Sequence, residues 1–502
     1  MSSEIRSDLT DEQRATVRES PLFNDDLAPV PSDQRNWGTW DIAALWVGMS
    51  VCIPTYMLAS SLISTGMNWW QAVLTVCLGN LIVVIPMILN AHAGTKYGIT
   101  FPVFARASFG VLGANVAAIL RGIVACGWFG IQTWIGGFAI YKLALLALPG
   151  LENSAVIGLL SGEHIDVNIA QFVCFLIFWA VNVGLFVWKG MNSIKYIEKW
   201  GAPLLIVLGV ALLIWAYQKA DGFGPMLSQP DQFDTVGDFW KAFFPGLTAM
   251  VGFWATLSLN IPDFSREARS QKDQVVGQLV GLNTTMPLYA FIGVAVTSAT
   301  VVIFGEAIWD PVELLSRFDS IALMLVAMFA LTLATLTTNM AANIVAPATS
   351  FSNIAPRVIS MRLGCLITGI IGILMMPWKL VADPSGYIFT WLIGYSALLG
   401  PIGGILICDY FVIRRTEFVL AELYLTKGAY RYWGGFNPAA LMALGVAVLP
   451  NVPGFLGTIG ALELGPESVW MSLYSYAWFI GFAVAFIVYY GIMTLTRKGD
   501  AS

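Results

Sequence analysis

The chain has 502 residues, 57% of them hydrophobic and 11% charged, with a mean hydropathy of +0.73 and a formal net charge of −5. Soluble globular domains carry about 25% charged residues, so this composition excludes one and places the chain in a membrane. The net charge says little about partners, because its placement along a membrane topology matters more than its total, and no nucleic-acid partner is expected.

About twelve apolar runs, each near the 20 or so residues that a spanning helix needs, recur from Ala43 almost to the C-terminus. The first 39 residues are polar and acid-rich (Glu4, Asp8, Asp11, Glu12, Asp25, Asp26). They lack the basic and then apolar regions of a signal peptide, so the first span is expected to act as its own insertion signal. The six cysteines (Cys52, Cys77, Cys126, Cys174, Cys365, Cys408) lie in or beside apolar runs without a C-x-x-C pair. Neither a disulfide framework nor a zinc site is expected. With the N-terminus inside, only Lys142, Lys219, Lys241, Arg317 and Lys379 of the 26 basic residues fall outside. Arg106, Arg121, Lys189, Lys195, Lys199, Arg497 and Lys498 are among those counted inside. By the positive-inside rule both termini are cytoplasmic, in a cell inner (plasma) membrane.

Span 1, about Ala43 to Ser64, carries Gly48 and then Cys52-Ile53-Pro54. Proline removes a backbone donor, so carbonyls near Gly48 and Val51 lose helical partners. Such carbonyls persist at bilayer depth only where protein or a bound cation satisfies them. An ordinary proline kink is the alternative reading. Span 2, about Trp69 to Ala91, precedes His92 to Pro102, which reads as an amphipathic segment on the cytoplasmic face with His92 as an interfacial loop residue.

Span 3, about Gly113 to Leu148, contains Gly127-Trp128-Phe129-Gly130-Ile131-Gln132-Thr133-Trp134. Trp128 and Gln132 lie one above the other on a helix face, so a flat ring and a two-way amide look into one space that suits a planar polar ligand. The small residues Gly122, Ala125, Gly127 and Gly130 admit a close helix or ligand. The same pair could instead be a helix contact. Spans 4 (about Ile169 to Trp188) and 5 (about Trp200 to Tyr217) carry little polar information, and the loop after them collects Asp221, Asp231, Asp234 and Asp238.

Span 6 holds Met250 to Phe264, with Gly252, Thr256 and Ser258 before a proline-terminated end. Interrupted spans at positions one and six suggest two five-span repeats whose breaks meet near the midplane to form a site. The expected division is a tail 1–39, repeats 40–217 and 218–415, an amphipathic segment with spans 11 and 12 over 416–496, and a tail 497–502. Span 7 covers about Leu279 to Phe304. Span 8 holds Ala334 to Asn343, where Thr337 and Thr338 offer neutral oxygens to a hard monovalent cation and Asn339 and Asn343 offer amides. Threonines that bond only their own helix are the alternative. Spans 9 (about Leu363 to Trp378) and 10 (about Tyr387 to Tyr410) lead to an amphipathic stretch near Leu420 to Tyr432. Spans 11 and 12, about Pro438 to Gly460 and Trp470 to Leu495, show no interpretable polar pattern.

From Asn36 to about Arg431 the chain resembles the nucleobase:cation symporter-1 family. The resemblance rests on Trp37-Gly38-Thr39-Trp40-Asp41, Cys52-Ile53-Pro54-Thr55-Tyr56, His92 to Ile99, Gly127 to Trp134, Asn260-Ile261-Pro262-Asp263-Phe264 and Cys408-Asp409-Tyr410-Phe411. It is nearest in look to bacterial allantoin and hydantoin permeases. The resemblance implies an all-α polytopic protein with the LeuT-like fold, twelve transmembrane helices in two inverted five-helix repeats plus two. It also implies that Trp128 and Trp254 sandwich the ligand ring while Gln132 and Asn343 bond it. Phe253 stands where the hydantoin permease has a glycine, and Cys52 where it has a glutamine. For the cation, the resemblance implies the carbonyls of Gly48, Val51 and Ala334 and the hydroxyls of Thr337 and Thr338. It further implies a thin gate over Phe389 to Tyr395, with Gly394 as flex point, and rocking of spans 3, 4, 8 and 9 against 1, 2, 6 and 7.

The expected function is import of a planar nitrogen heterocycle by Na+ or H+ symport, allantoin first, then hydantoin, uracil, cytosine or a purine. The alternative is a symporter of the same fold for an amino acid or similar zwitterion, which would need a carboxylate clamp at a half-helix N-terminus. No H-E-x-x-H, serine–histidine set or phosphate loop is present, so no enzyme is expected, and no cofactor besides the transported cation.

Overall fold

In a bilayer every backbone N–H and C=O must be satisfied within the protein, which apolar runs of about 20 residues achieve as helices. The computed structural model of this chain describes residues 8–162, 165–189, 191–465 and 467–499, the side chains of 189–202, 341 and 497–499 excepted. Lys189, Lys195, Lys199, Arg497 and Lys498, counted above for topology, and the tail ends 1–7 and 500–502 lie outside that description. Among the described residues, eight helices are long and apolar enough to cross a membrane, and a pair bent through 57° makes a ninth crossing. The expected spans 5 and 9 are helical with shorter apolar stretches, and span 6 is broken.

In chain order the elements are α1 (Thr39–Ser50), α2 (Ile53–Ser64), α3 (Trp69–Tyr97), α4 (Phe101–Phe109), α5 (Ala114–Ala147), α6 (Ile169–Lys189), α7 (Met191–Lys219) and α8 (Val236–Phe253). Then follow α9 (Ala255–Asn260), α10 (Gln271–Phe304), α11 (Ile321–Asn343), α12 (Val345–Ile354), α13 (Met361–Leu374), α14 (Gly394–Ile407), α15 (Pro438–Val448) and α16 (Ala477–Gly499). A π-helical stretch, Gly386–Ile393, leads into α14. Helices α1, α2, α3, α8, α9 and α10 form one packed group, and α5, α6, α11, α12 and α13 another. Helix α14 touches both groups and packs on α15 and α16.

The first break differs in detail from a kinked helix. Pro54 sits in the first turn of α2, where its missing N–H costs nothing, and Cys52 is extended (φ −145°, ψ 158°). The N–H groups that would close on Gly48 and Val51, those of Cys52 and Thr55, turn instead to the carbonyls of Ser50 and Cys52, both at 3.1 Å. The second break falls at Trp254 (φ −96°, ψ 2°) between α8 and α9. There the Gly252 carbonyl accepts from the Trp254 N–H and from the Tyr395 hydroxyl, the latter at 2.9 Å.

Two expectations are corrected. His92 to Tyr97 continue α3, which stops only at Gly98 in the left-handed conformation (φ 68°), and α4 is buried over its whole length instead of amphipathic. The polar residues there find partners: His92 Nδ1 lies 3.0 Å from the Tyr410 hydroxyl, and Lys96 donates to the Thr416 carbonyl at 2.8 Å. Arg106 and Arg121, counted among the basic residues of the inner segments, are buried. Arg106 donates to the carbonyls of Leu423 and Leu22 and to Asn353 Oδ1. The stretch near Leu420 to Tyr432 is two-sided, burying Leu420, Leu423, Tyr424 and Tyr430 and exposing Thr426, Lys427, Ala429 and Arg431. The N-terminal segment packs against it, with Leu22 and Leu27 buried and the Tyr424 hydroxyl donating to the Leu27 carbonyl at 2.8 Å.

Between α10 and α11 the short helix Pro311–Ser316 packs on α2 and α5, and Lys142 on α5 pairs with its Glu313 at 3.0 Å. Asp310 caps this helix by accepting from the Val312 N–H at 2.8 Å. Burial pushes its carboxyl up to about 6. An acid whose pKa is raised by folding is held protonated by the native state, so its contribution is present at low pH and lost as pH rises through the folded value. The stability of the parent relative to Asp310→Asn therefore falls between about pH 4 and 6 and levels off above. Thermal melts of both proteins across that range check this.

Candidate ligand and cation site

A cavity of about 40 Å³ lies where the two breaks face α5 and α11. It is lined by Met49, Cys52, Pro54, Trp128, Gln132, Phe253, Trp254, Thr256, Leu257, Thr338, Ala342 and Asn343. All six residues expected to meet a ligand are in this lining, at 2–7% exposure. The free space holds a few waters, whereas pockets that hold drug-sized ligands run to about 300–1,000 Å³.

The two tryptophans belong to opposite groups of helices. Trp128 on α5 is ringed edge-to-face by Phe253 (5.1 Å between centroids), Trp391 (5.8 Å), Tyr387 (6.2 Å) and Tyr395 (6.3 Å). Gly127 makes this possible, since any side chain there would collide with the Trp391 ring. Gly130 likewise admits the backbone of Gly372 on α13, so these small residues serve helix contact. Trp254 is anchored from below: its Nε1–H lies 3.1 Å from Asn80 Oδ1 and 2.9 Å from Met286 Sδ, and Trp46 meets its ring edge-on at 5.2 Å. Phe253 touches both tryptophans, lying 4.9 Å from Trp254. Trp134, from the same motif as Trp128, packs instead with Trp378 and Phe175.

Of the amides, Gln132 is buried with its Oε1 lacking any partner, while Asn343 Nδ2 donates to Asn339 Oδ1 at 3.0 Å. The Cys52 thiol lies 3.2 Å from the Thr55 hydroxyl. In the expected cation set, Thr337 and Thr338 both donate to the Ala334 carbonyl, at 2.7 and 3.1 Å. The own-helix bonding that the sequence left open is thus present, and it gathers three oxygens at one point. Lone pairs on both hydroxyls stay free, because each is the donor in its bond. Only Thr338 of the five cation residues also lines the cavity. Among the described residues no group of three His, Cys, Asp or Glu could hold a metal ion.

Sequence reasoning missed Tyr387, Trp391 and Tyr395 as neighbours of Trp128, although Phe389 to Tyr395 was singled out for gating. It also missed Asn80 and Met286, for which an isolated amide in an apolar run was the only signal.

A family described as permease for cytosine/purines, uracil, thiamine and allantoin matches residues 29–481. The chain is 46% identical over 484 residues to the purine-uracil permease NCS1 of Arabidopsis thaliana, covering 96% of this chain and 79% of that one. It is 38% identical over 475 residues to an allantoin permease of Bacillus subtilis, covering 94% and 93%. Among solved structures it is similar to Mhp1, a nucleobase-cation-symport-1 family transporter in a closed conformation with bromovinylhydantoin bound. The TM-score is 0.76 at 26% identity, with 95% of this chain and 96% of that chain covered.

Proposed function

The chain belongs to the nucleobase:cation symporter-1 family, with its LeuT-like fold, and from that premise we propose that it imports a planar nitrogen heterocycle together with sodium, by alternating access. The observation that carries this reading is a cavity at the meeting of two helix breaks, which combines two tryptophan faces, two amides and a threonine hydroxyl. Trp128 and Trp254 stack on the ligand ring, Gln132 and Asn343 bond its edges, and Phe253 and Cys52 set the width of the pocket. Carbonyls of Gly48, Val51 and Ala334 with the hydroxyls of Thr337 and Thr338 make about five neutral oxygens, enough to replace most of a sodium ion's hydration shell. The lining offers two indole faces and neutral amides, which suits an uncharged planar ring.

In this reading the membrane is the cell inner membrane with both termini cytoplasmic, and the repeats run over 40–217 and 218–415. Ligand and cation bind from outside, Phe389 to Tyr395 closes over them through its contacts with Trp128, and rocking of the two helix groups opens the site inward. No catalytic role is assigned to any residue. A competition uptake panel in cells expressing the protein tests the substrate: allantoin, hydantoins, uracil, cytosine and purines against one labelled heterocycle. Allantoin is expected to compete best. Uptake that no heterocycle competes, with competition by an amino acid, would overturn the proposal.

A further inference from the structure

Behind Asn343 lies a second amide, Asn339, one turn earlier on α11. Its Nδ2 stands 3.1 Å from Thr133 Oγ1 and 3.3 Å from the Phe129 carbonyl on α5, and 3.2 Å from Asn182 Oδ1 on α6. All three neighbours are committed as acceptors. The Thr133 hydroxyl gives its proton to the Phe129 carbonyl at 2.6 Å. Asn182 turns its Nδ2 to the Phe178 carbonyl at 2.8 Å, which leaves its Oδ1 towards Asn339. An Asn339 amide turned over would press its oxygen against three acceptors in a place where Thr133, Asn182 and Asn339 are all fully buried. Its orientation is therefore dictated by its surroundings. Asn339 Oδ1 must face Asn343, and Asn343 must answer with Nδ2, as the 3.0 Å bond has it. What Asn343 has left for the cavity is its own Oδ1 beside one N–H.

We infer that Asn339, braced by Asn182 and Thr133, is a positioning residue that holds Asn343 in one of its two amide orientations. The site thereby selects a heterocycle edge in which a C=O adjoins an N–H, as in lactams, imides and ureides. This rests on Asn343 being a ligand contact. Without the brace, Asn343 can rotate and offer two N–H groups, which suits an edge made only of acceptors.

The test compares two affinities in the purified protein: that of whichever of allantoin, hydantoin and uracil binds most tightly, and that of its fully ring-N-methylated analogue. Full methylation removes the N–H that meets Asn343 Oδ1 and the one that meets Gln132 Oε1, so the parent should prefer the unmethylated compound by about a hundredfold, two desolvated hydrogen bonds. In Asn339→Leu the preference should shrink about tenfold, to the share that Gln132 keeps. The double variant Thr133→Val/Asn182→Leu leaves Asn339 in place with one acceptor and should move the ratio in the same direction. General loosening would weaken both ligands alike, so an unchanged ratio in Asn339→Leu, or in the double variant when Asn339→Leu does not fold, overturns the inference. Asn343→Leu separates the two levels. If it leaves affinity and ratio at parent values, the reading of Asn343 as a ligand contact fails. If it cuts the preference about tenfold while the Asn339 and double variants keep theirs, only the positioning role fails.

Discussion

Gln132→Leu is expected to weaken heterocycle binding by about 1–3 kcal/mol, roughly 5- to 150-fold, while raising the melting temperature of the ligand-free protein. The opposite signs come from one atom. Gln132 Oε1 is buried and has no protein partner, so the ligand-free native state carries part of the cost of an underused acceptor. A leucine of similar size removes that cost. A bound heterocycle supplies an N–H to the same oxygen, so the variant forfeits in binding what it gains in folding. Asn343→Leu should lose affinity without any such gain, because it also leaves Asn339 Oδ1 without its donor. Ligand titrations by tryptophan fluorescence and melts of the ligand-free proteins read both quantities. A melting temperature that falls together with the affinity would make Gln132 a structural amide.

Much of the site was legible because its parts are local. Trp128 and Gln132 share a helix face by their spacing, Thr337 and Thr338 are adjacent, and proline marks the start of the second half of the first broken span. What was not legible depends on neighbours far along the chain. Asn182 sits on a span whose sequence reads as plain apolar helix, yet its oxygen faces Asn339, 157 positions away. The rings of Tyr387 and Trp391 on the π-helical stretch and of Tyr395 on α14 surround Trp128 only because those segments lie beside α5 in the fold. His92 to Tyr97 looked too polar for a helix in the membrane. Pairing of Thr95 with the Ser265 carbonyl, Lys96 with the Thr416 carbonyl and His92 with Tyr410 removes the objection. Polarity excludes a buried helix only when its polar groups lack partners.

The second large effect concerns the cation. Thr338 is the one residue that both lines the ligand cavity and joins the oxygens of Ala334 and Thr337. Its hydroxyl bonds only the Ala334 carbonyl of its own helix, so Thr338→Val removes one oxygen at nearly constant volume and spares the fold. If sodium and heterocycle bind as a coupled pair, each must raise the other's affinity by the same factor, commonly about 5–150-fold. The deciding measurement is the heterocycle affinity in sodium and in choline buffers at fixed pH, for the parent and for Thr338→Val. Sodium should tighten binding at least about fivefold in the parent and have little effect in the variant. Equal affinities in the two buffers for the parent would contradict a sodium-coupled site built from these neutral oxygens.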